Sequence, residues 1–161
     1  MGCQISEARA VRVHEYDCFD TRPPACPQGD LAFHPECIGA VRATRDGRPF
    51  DTLAGDIERN GDAGRRLVIK MDVEGAEWES LLSAPDEALE QIDQLAIEFP
   101  GVQDRRYVAL VRRLKAHFHV AHLHFNNNAC LPEAAPFPAI AFEVLFVNKT
   151  IATVDPAGGA A

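Results

Sequence analysis

The stretch Leu67-Val68-Ile69-Lys70-Met71-Asp72-Val73-Glu74-Gly75-Ala76-Glu77-Trp78-Glu79 decides the fold of this chain. Its first half is a short apolar run with β-branched residues, which is typical of a buried strand. In its second half Gly75 permits an unusual backbone angle at a turn, and a helical apolar pattern begins at Trp78. The stretch therefore predicts a strand, a tight acidic turn and a helix, with Asp72 and Glu74 at the carboxyl end of the strand.

The position of these two acids makes them candidate site residues. Ligands of open α/β sheets bind beyond the carboxyl ends of the strands, because the loops diverge there. A carboxylate at Asp72 or Glu74 could orient or deprotonate the hydroxyl group of a substrate. The alternative is that both acids only favour the amino terminus of a helix, where the helix dipole attracts negative charge.

The composition is that of an ordinary globular protein. The chain has 161 residues, of which 47% are hydrophobic and 25% charged. This predicts one domain over residues 1–155 and a disordered tail over 156–161. No apolar run reaches the roughly 20 residues of a membrane-spanning helix, so no membrane partner is expected. The net charge of -8 argues against nonspecific binding to nucleic acid, which needs clustered cations.

The cysteines form an odd set without a Cys-x-x-Cys pair. Such a set is typical neither of a zinc ribbon nor of a closed disulfide framework. We therefore expect reduced thiols and a cytoplasmic protein. The five residues are Cys3, Cys18, Cys26, Cys37 and Cys130.

Strand patterns and helix patterns alternate along most of the chain. This alternation predicts an α/β fold with a doubly wound, mostly parallel sheet and helices on both faces. The last two strands are joined by a loop without a helix, so we expect them to pair antiparallel. Strands are predicted at 11–17, 31–34, 38–41, 67–71, 94–99, 119–125 and 140–147, and helices at 50–60, after Trp78, after Pro85 and at 104–116.

The segment Lys70–Glu79 resembles the fourth-strand signature of the FkbM-type methyltransferase family. This family belongs to the S-adenosylmethionine-dependent methyltransferases of Rossmann-like fold. Weaker similarities follow in the order of the family, so the resemblance spans roughly Val11 to Val147. They are Val13–Asp17 for the second strand, Thr52-Leu53 for the helix before the signature, Ala96–Phe99 for the fifth strand, and His122–Asn127 with Phe142–Val147 for the closing hairpin.

The resemblance implies a cofactor, a reaction and roles for particular residues. The cofactor is S-adenosyl-L-methionine, and the expected reaction is O-methyl transfer to a small molecule or sugar. Asp17 and Asp72 are expected to bind the cofactor, with Asp17 at its ribose. Asp72 and Glu74 would line the transfer site as catalytic residues. The expected substrate-binding residues are His122, His124 and Asn126.

The residues before Val11 depart from the family pattern. The family's first strand ends in a glycine-rich turn that holds the methionine part of the cofactor, whereas residues 1–10 contain one glycine and no apolar run. We therefore expect a Rossmann-like methyltransferase fold that is N-terminally truncated. Unpaired buried backbone groups cost about 1–3 kcal/mol each. Hence we expect Val11–Tyr16 to pair directly with Leu67–Met71, or a second copy of the chain to fill the missing central strand.

Alternative interpretations stay open for the polar residues near the strand ends. Asp17 could be an ordinary turn acid after a strand, and Asn126 could serve turn formation. His122 and His124 share one face of a strand, which could be a polar outer face.

A third alternative is that the same histidines bind a metal ion. With Asp72, Glu74 or Glu98 they could form a site of nitrogen and oxygen ligands, as in a metal-dependent hydrolase. We nevertheless expect that no metal is bound. A non-catalytic remnant of the fold that acts as an interaction module is the remaining alternative to an enzyme.

Overall fold

The computed structural model describes residues 2–101, 106–126, 130 and 137–155. Within these ranges the chain is an α/β protein with three open sheets. The elements in chain order are α1 (Gly2–Arg9), β1 (Val13–Tyr16), β2 (Leu31–His34), β3 (Cys37–Gly39), β4 (Ala43–Arg45), β5 (Arg48–Thr52), α2 (Leu53–Arg59), β6 (Leu67–Met71), α3 (Glu77–Ser83), α4 (Asp86–Glu90), β7 (Ile92–Pro100), α5 (Arg106–His117), β8 (Phe118–Phe125) and β9 (Ala141–Asn148).

The largest sheet has four strands in the order β6-β7-β9-β8. β6 and β7 run parallel, as the strand and helix alternation predicts. β9 lies antiparallel to both β7 and β8, which confirms the predicted antiparallel ending. The carboxyl ends of β6 and β7 and the end of β8 therefore meet at one edge of this sheet.

One face of this sheet carries the hydrophobic core. Leu95, Ile97 and Phe99 alternate along β7 and are buried beneath α3 to α5, with the Trp78 ring stacked 4.7 Å from that of Phe99. Full burial of such a side chain stabilises the fold by about 1.5–3 kcal/mol.

The opposite face of the sheet is partly or fully exposed, and Val68 on β6 is 74% accessible. For the part of the chain that the structure describes, the prediction of helices on both faces is wrong for this sheet. The reason is visible in β7, where Gln94, Ala96 and Glu98 alternate with the buried residues, and such alternation is typical of a sheet with one solvated face.

β1 pairs with β2 in a separate parallel sheet, and not with β6. The predicted direct pairing of Val11–Tyr16 with Leu67–Met71 is therefore wrong. Ser6 of α1 explains the observed pairing, because its hydroxyl donates to the carbonyl oxygen of Val11 and accepts from the amide of Asp30, each at 2.7 Å. This serine brings the starts of β1 and β2 together.

A third sheet has the order β3-β5-β4 and leads directly into α2. Asp46 and Gly47, with φ of 50° and 75°, form the tight turn between β4 and β5. Thr52 caps α2, since its hydroxyl accepts a hydrogen bond from the amide of Gly55 at 3.0 Å. Leu53 and Ile57 of α2 enter the same core as the four-stranded sheet.

Four of the cysteines form disulfides, Cys3–Cys26 and Cys18–Cys37, while Cys130 is a free, exposed thiol. The expectation of reduced thiols is wrong for these four. Their Cα atoms lie 5.3 Å and 5.0 Å apart, within the range that a disulfide spans. Spacing along the sequence does not reveal such closeness, because it arises from the packing of α1 and β3 against the intervening loop.

Some predictions lie outside the described residues, namely the disordered tail over 156–161 and the part of the hairpin similarity at Asn127. The extent of the single domain, 1–155, stays a prediction. None of the described helices is both long enough and apolar enough to cross a lipid bilayer.

Candidate functional site

The turn after β6 has an unusual backbone. Glu74 adopts a left-handed conformation with φ of 56°, and Gly75 follows with φ of 105°. The predicted unusual angle at Gly75 is thus confirmed. The two left-handed residues bend the chain sharply between the end of β6 and the start of α3, which leaves the side chains of Asp72 and Glu74 exposed.

Glu77 holds this acidic turn from inside the protein. Its side chain is fully buried, and its carboxylate accepts hydrogen bonds from the amides of Val73 at 2.6 Å and Gly75 at 2.8 Å. A carboxylate needs such donors when it is buried, and the two amides would otherwise be unpaired near the start of a helix. Sequence reasoning missed this role, because an acid in the first turn of a helix is common for electrostatic reasons alone.

Asp72 is at the same sheet edge as a second acid. Met71 pairs with Ile97 in the parallel ladder, so Asp72 and Glu98 continue neighbouring strands beyond that pair. Asp72 also accepts a hydrogen bond from Lys70 Nζ at 3.0 Å. This ion pair is partly exposed and contributes at most about 1 kcal/mol.

The substrate-binding candidates meet this edge from the other side. Asn126 follows β8 and its Nδ2 donates to Glu98 Oε1 at 3.2 Å. His124 lies opposite Glu143, which in turn lies opposite Glu98, so these three residues form one row across β8, β9 and β7. The structure therefore brings Asp72, Glu98 and Asn126 to one edge, with His124 in the row beside them.

His122 and His124 share the exposed face of the sheet, as predicted, because they pair with Leu145 and Glu143 of β9. They do not assemble a metal site with Asp72, Glu74 or Glu98 among the described residues. The one close group of three ligand-type residues found there is Cys3, Glu7 and Cys26. Its two sulfur atoms form a disulfide, so they are not the thiolates that bind metals.

Asp17 follows β1 and makes a local turn. Its Oδ1 accepts from the amides of Phe19 at 2.8 Å and Asp20 at 3.0 Å. This geometry is that of a strand-end turn acid. Within the described part of the chain, no hydrogen bond or ion pair joins Asp17 to Asp72 or Glu74.

A buried charged cluster between β3, β5 and α2 was missed by sequence reasoning. Arg59 contacts Glu36, Asp51 and Asp56, and Arg42 also binds Asp51. Asp51 and Asp56 are each 3% exposed. The sequence held a signal for one of them, because Asp56 follows Leu53 by three residues and so lies on the same side of α2 as that apolar residue.

Burial raises the pKa of Asp56 to about 7, and the nearby Glu36 carboxylate adds to the rise while Arg59 opposes it. Asp51 behaves differently, since its pKa is lowered: burial acts to raise it, but hydrogen bonds from Arg42 and from the amide of Thr52 outweigh that effect. Two neighbouring carboxylates thus differ in their protonation near neutral pH.

Two grooves on the described surface are lined by none of the predicted site residues. One, of about 490 Å³, lies near the amino end of β6 beside Ala54, Arg66 and Gln91. The other, of about 420 Å³, lies between α5 and β8 beside Val111 and Leu123. At the edge of the sheet, the Asp72 side chain is exposed and that of Glu98 is partly exposed.

Searches with this chain find no matching protein-family model, no matching curated protein and no matching solved structure.

Proposed function

We propose that this chain has the function of an S-adenosylmethionine-dependent methyltransferase that transfers a methyl group to an oxygen of a small molecule or sugar. The observation that carries the proposal is the acidic turn after β6. Asp72 and Glu74 follow the carboxyl end of a parallel strand, and the buried Glu77 fixes the turn that presents them. The antiparallel β9 agrees with the closing hairpin that the resemblance implies.

The proposed reaction assigns a proton acceptor to the sheet edge. Bound S-adenosyl-L-methionine would supply an electrophilic methyl group and would leave as S-adenosylhomocysteine, which keeps the electron pair of the broken carbon–sulfur bond. An acceptor hydroxyl held beside Asp72 and Glu74 would lose its proton to a carboxylate as its oxygen forms the new bond to carbon. Alignment of the acceptor would contribute as well, and Asn126, His122 and His124 are the residues proposed to orient it.

The described residues fit the cofactor in part. Asp17 and Asp72 are carboxylates at strand ends, and such acids suit the hydroxyl groups of a ribose. Residues 2–9 form helix α1 and offer no glycine-rich turn for the methionine part. Truncation of the Rossmann-like fold at its amino end accordingly stays a prediction.

Calorimetric titration with S-adenosylhomocysteine tests the proposal. We expect saturable heat with the unmodified chain and a roughly tenfold or greater loss of affinity in Asp72→Asn, which removes one charged hydrogen-bond acceptor. Asp46→Asn, at the exposed turn between β4 and β5, is the matched control and should bind as the unmodified chain does. No heat and no thermal shift with any of the proteins would contradict the proposal.

A second candidate function is an interaction module built on a remnant of the fold. Its supporting observation is β6, which has no strand partner on its outer edge among the described residues and exposes Val68 beside Lys70. An unpaired apolar edge is a template for another strand. A second copy of the chain is the proposed partner, in a homo-oligomer whose second chain adds a strand beside β6.

Sedimentation analysis tests this second candidate. A dimer that dissociates in Val68→Lys would support it, because a second lysine on the edge opposes strand pairing. A monomer at all accessible concentrations would contradict it.

A cytoplasmic location also stays a prediction. The two disulfides weigh against it, because such bonds persist in oxidising compartments. Titration of thiols in protein taken directly from its native compartment decides the matter, since the cytoplasmic prediction requires that all five cysteines react.

A further inference from the structure

Helix α1 and the loop between β1 and β2 bring three metal-ligand side chains together. Cys3 and Glu7 are four residues apart on α1 and therefore lie on the same side of the helix. Cys26 belongs to the loop, and its sulfur is bonded to that of Cys3. The two sulfurs and a carboxylate oxygen of Glu7 all lie within 4.8 Å of one another. In the oxidised protein the disulfide occupies both sulfurs, so the three groups can act as metal ligands only after reduction.

The closeness of the two cysteines does not depend on the disulfide alone. Ser6 of α1 is buried, and its hydroxyl accepts a hydrogen bond from the amide of Asp30 in the loop at 2.7 Å. At Gly29 a Cβ atom would lie 2.5 Å from Cys26 Sγ and 3.0 Å from Ser6 Oγ, so the loop backbone packs directly on both residues. We therefore expect the loop to stay on α1 after reduction, with the thiols of Cys3 and Cys26 side by side.

Reduction and metal binding each have a complete balance of electrons and protons. A dithiol supplies two electrons and two protons and is itself oxidised to a disulfide, while the Cys3–Cys26 bond is replaced by two thiols. A divalent metal ion then displaces the two thiol protons to solvent, because the ligand is the thiolate.

The spacing of the three groups fits zinc. Zn–S bonds are about 2.3 Å and Zn–O bonds about 2.0–2.2 Å long, so tetrahedral ligands of one ion lie about 3.8 Å apart for two sulfurs and about 3.5 Å apart for sulfur and oxygen. Cys3 Sγ already lies 3.4 Å from Glu7 Oε1. Thiolate ligands favour Zn²⁺ over Mg²⁺ and Ca²⁺, which bind oxygen. Because the Glu7 side chain is exposed, the ion can enter from solvent and water can fill the fourth position.

We propose that Cys3, Glu7 and Cys26 form a Zn²⁺ site in the reduced protein, which replaces the disulfide as the link between α1 and the loop. A small-molecule disulfide that reoxidises the two thiolates expels the ion and is itself reduced to two thiols, with protons from solvent. None of the three residues belongs to the proposed methyl-transfer site, so the two proposals stand or fall separately.

Cobalt absorption tests the proposal, because Co²⁺ accepts the ligands of zinc and absorbs visible light in a tetrahedral thiolate site. The chain reduced with a phosphine should show this absorption on titration with Co²⁺ and lose it when Zn²⁺ is added, whereas the oxidised chain should not show it. Glu7→Gln keeps both thiols but removes the carboxylate, and we expect it to bind at least about tenfold more weakly. Glu58→Gln, at an exposed position of α2, is the matched control and should bind as the unmodified chain does.

Substitution of the cysteines identifies the pair that binds. Cys26→Ser should abolish the cobalt absorption, whereas Cys130→Ser, which removes the free, exposed thiol, should retain it. Absence of the absorption in the reduced chain, equal affinities of the unmodified chain and Glu7→Gln, or equal binding by the oxidised chain would each overturn the proposal.

If Cys26→Ser does not fold, alkylation of the unmodified reduced chain decides. The rate at each cysteine is measured by mass spectrometry with and without Zn²⁺. Slower alkylation of Cys3 and Cys26 in the presence of Zn²⁺ supports the site, and rates at these two cysteines that Zn²⁺ leaves unchanged overturn it.

Discussion

At the scale of single residues, the acidic turn after β6 depends on a buried acid, Glu77. Replacing Glu77 by Ala leaves the amides of Val73 and Gly75 without their acceptor and removes a fully buried side chain. We expect a loss of about 2–4 kcal/mol in the free energy of unfolding, since each unsatisfied buried donor costs about 1–3 kcal/mol. Urea denaturation measures this loss.

The exposed Glu87→Ala on α4 is the control for the Glu77 change, and it should shift the unfolding free energy by less than about 0.5 kcal/mol. Equal effects of the two substitutions would show that the hydrogen bonds of Glu77 do not contribute to the free energy of unfolding.

The backbone strain at Glu74, in the same turn, can be measured by a substitution. Its φ of 56° is unfavourable for a residue with a Cβ atom by about 1 kcal/mol, and glycine relieves that cost. Glu74→Gly should therefore leave the protein as stable as before or more stable by up to about 1 kcal/mol, measured by thermal unfolding. A marked loss of stability would mean that the glutamate side chain makes a stabilising contact.

The positions of some single residues in this turn could be predicted from the sequence, and the roles of others could not. Asp72 and Glu74 could be placed at a strand end, because the apolar run and Gly75 mark the end of β6 locally. Glu77 could not be recognised as the support of that turn, since its burial depends on α3 packing against the sheet. Asp56 could have been noticed from its spacing of three residues from Leu53.

At the scale of elements, one arginine links two helices that lie far apart in the chain. The Arg113 guanidinium of α5 donates to the carbonyl oxygens of Leu81 at 2.9 Å and Leu82 at 2.6 Å, and also contacts Ala84 and Asp86. These carbonyls lie at the end of α3, where they have no partner within the helix. Arg113→Lys keeps the charge but not the planar set of donors, so we expect a loss of about 1–2 kcal/mol in unfolding free energy.

The neighbouring Arg112→Lys is the control for Arg113, because the Arg112 side chain is exposed on the same helix. Denaturation of both variants under the same conditions measures the difference. If both substitutions are equally mild, the contacts of Arg113 with the end of α3 do not stabilise the packing of the two helices.

Element positions were predictable where the pattern is local, and element pairing was not. The strands β6, β7, β8 and β9 show alternation or apolar runs in the sequence, and α5 shows an apolar stripe that includes Leu110 and Leu114. The pairing of β1 with β2 depends on Ser6 and on the disulfides. These contacts join residues about 20 positions apart, and no periodic pattern records them.

At the scale of the whole molecule, titratable groups with shifted pKa values make the free energy of unfolding depend on pH. Some of them lower it as the pH rises, and others lower it as the pH falls. The raised pKa of Asp56, about 7, means that the folded state binds a proton that the unfolded state releases near pH 4. The stabilisation that protonated Asp56 gives to the folded state is fully present below about pH 4 and is lost as the pH rises to about 7. The lowered pKa values of His14 and His34 act in the other direction, because their contribution is lost as the pH falls below about 6.5.

The Asp56→Asn variant separates the pH dependence that comes from Asp56 from the pH dependence that comes from the histidines. Subtracting the unfolding free energy of this variant from that of the unmodified chain removes the histidine contribution and leaves that of Asp56. The difference should fall by on the order of 2–4 kcal/mol between about pH 4 and about pH 7, as the buried carboxylate ionises beside Glu36. Urea midpoints at a series of pH values measure it, and the exposed Asp46→Asn should show a constant difference. Parallel curves for the Asp56 variant and the unmodified chain would mean that Asp56 ionises in the folded protein as it does in the unfolded chain, with Arg59 fully offsetting its burial.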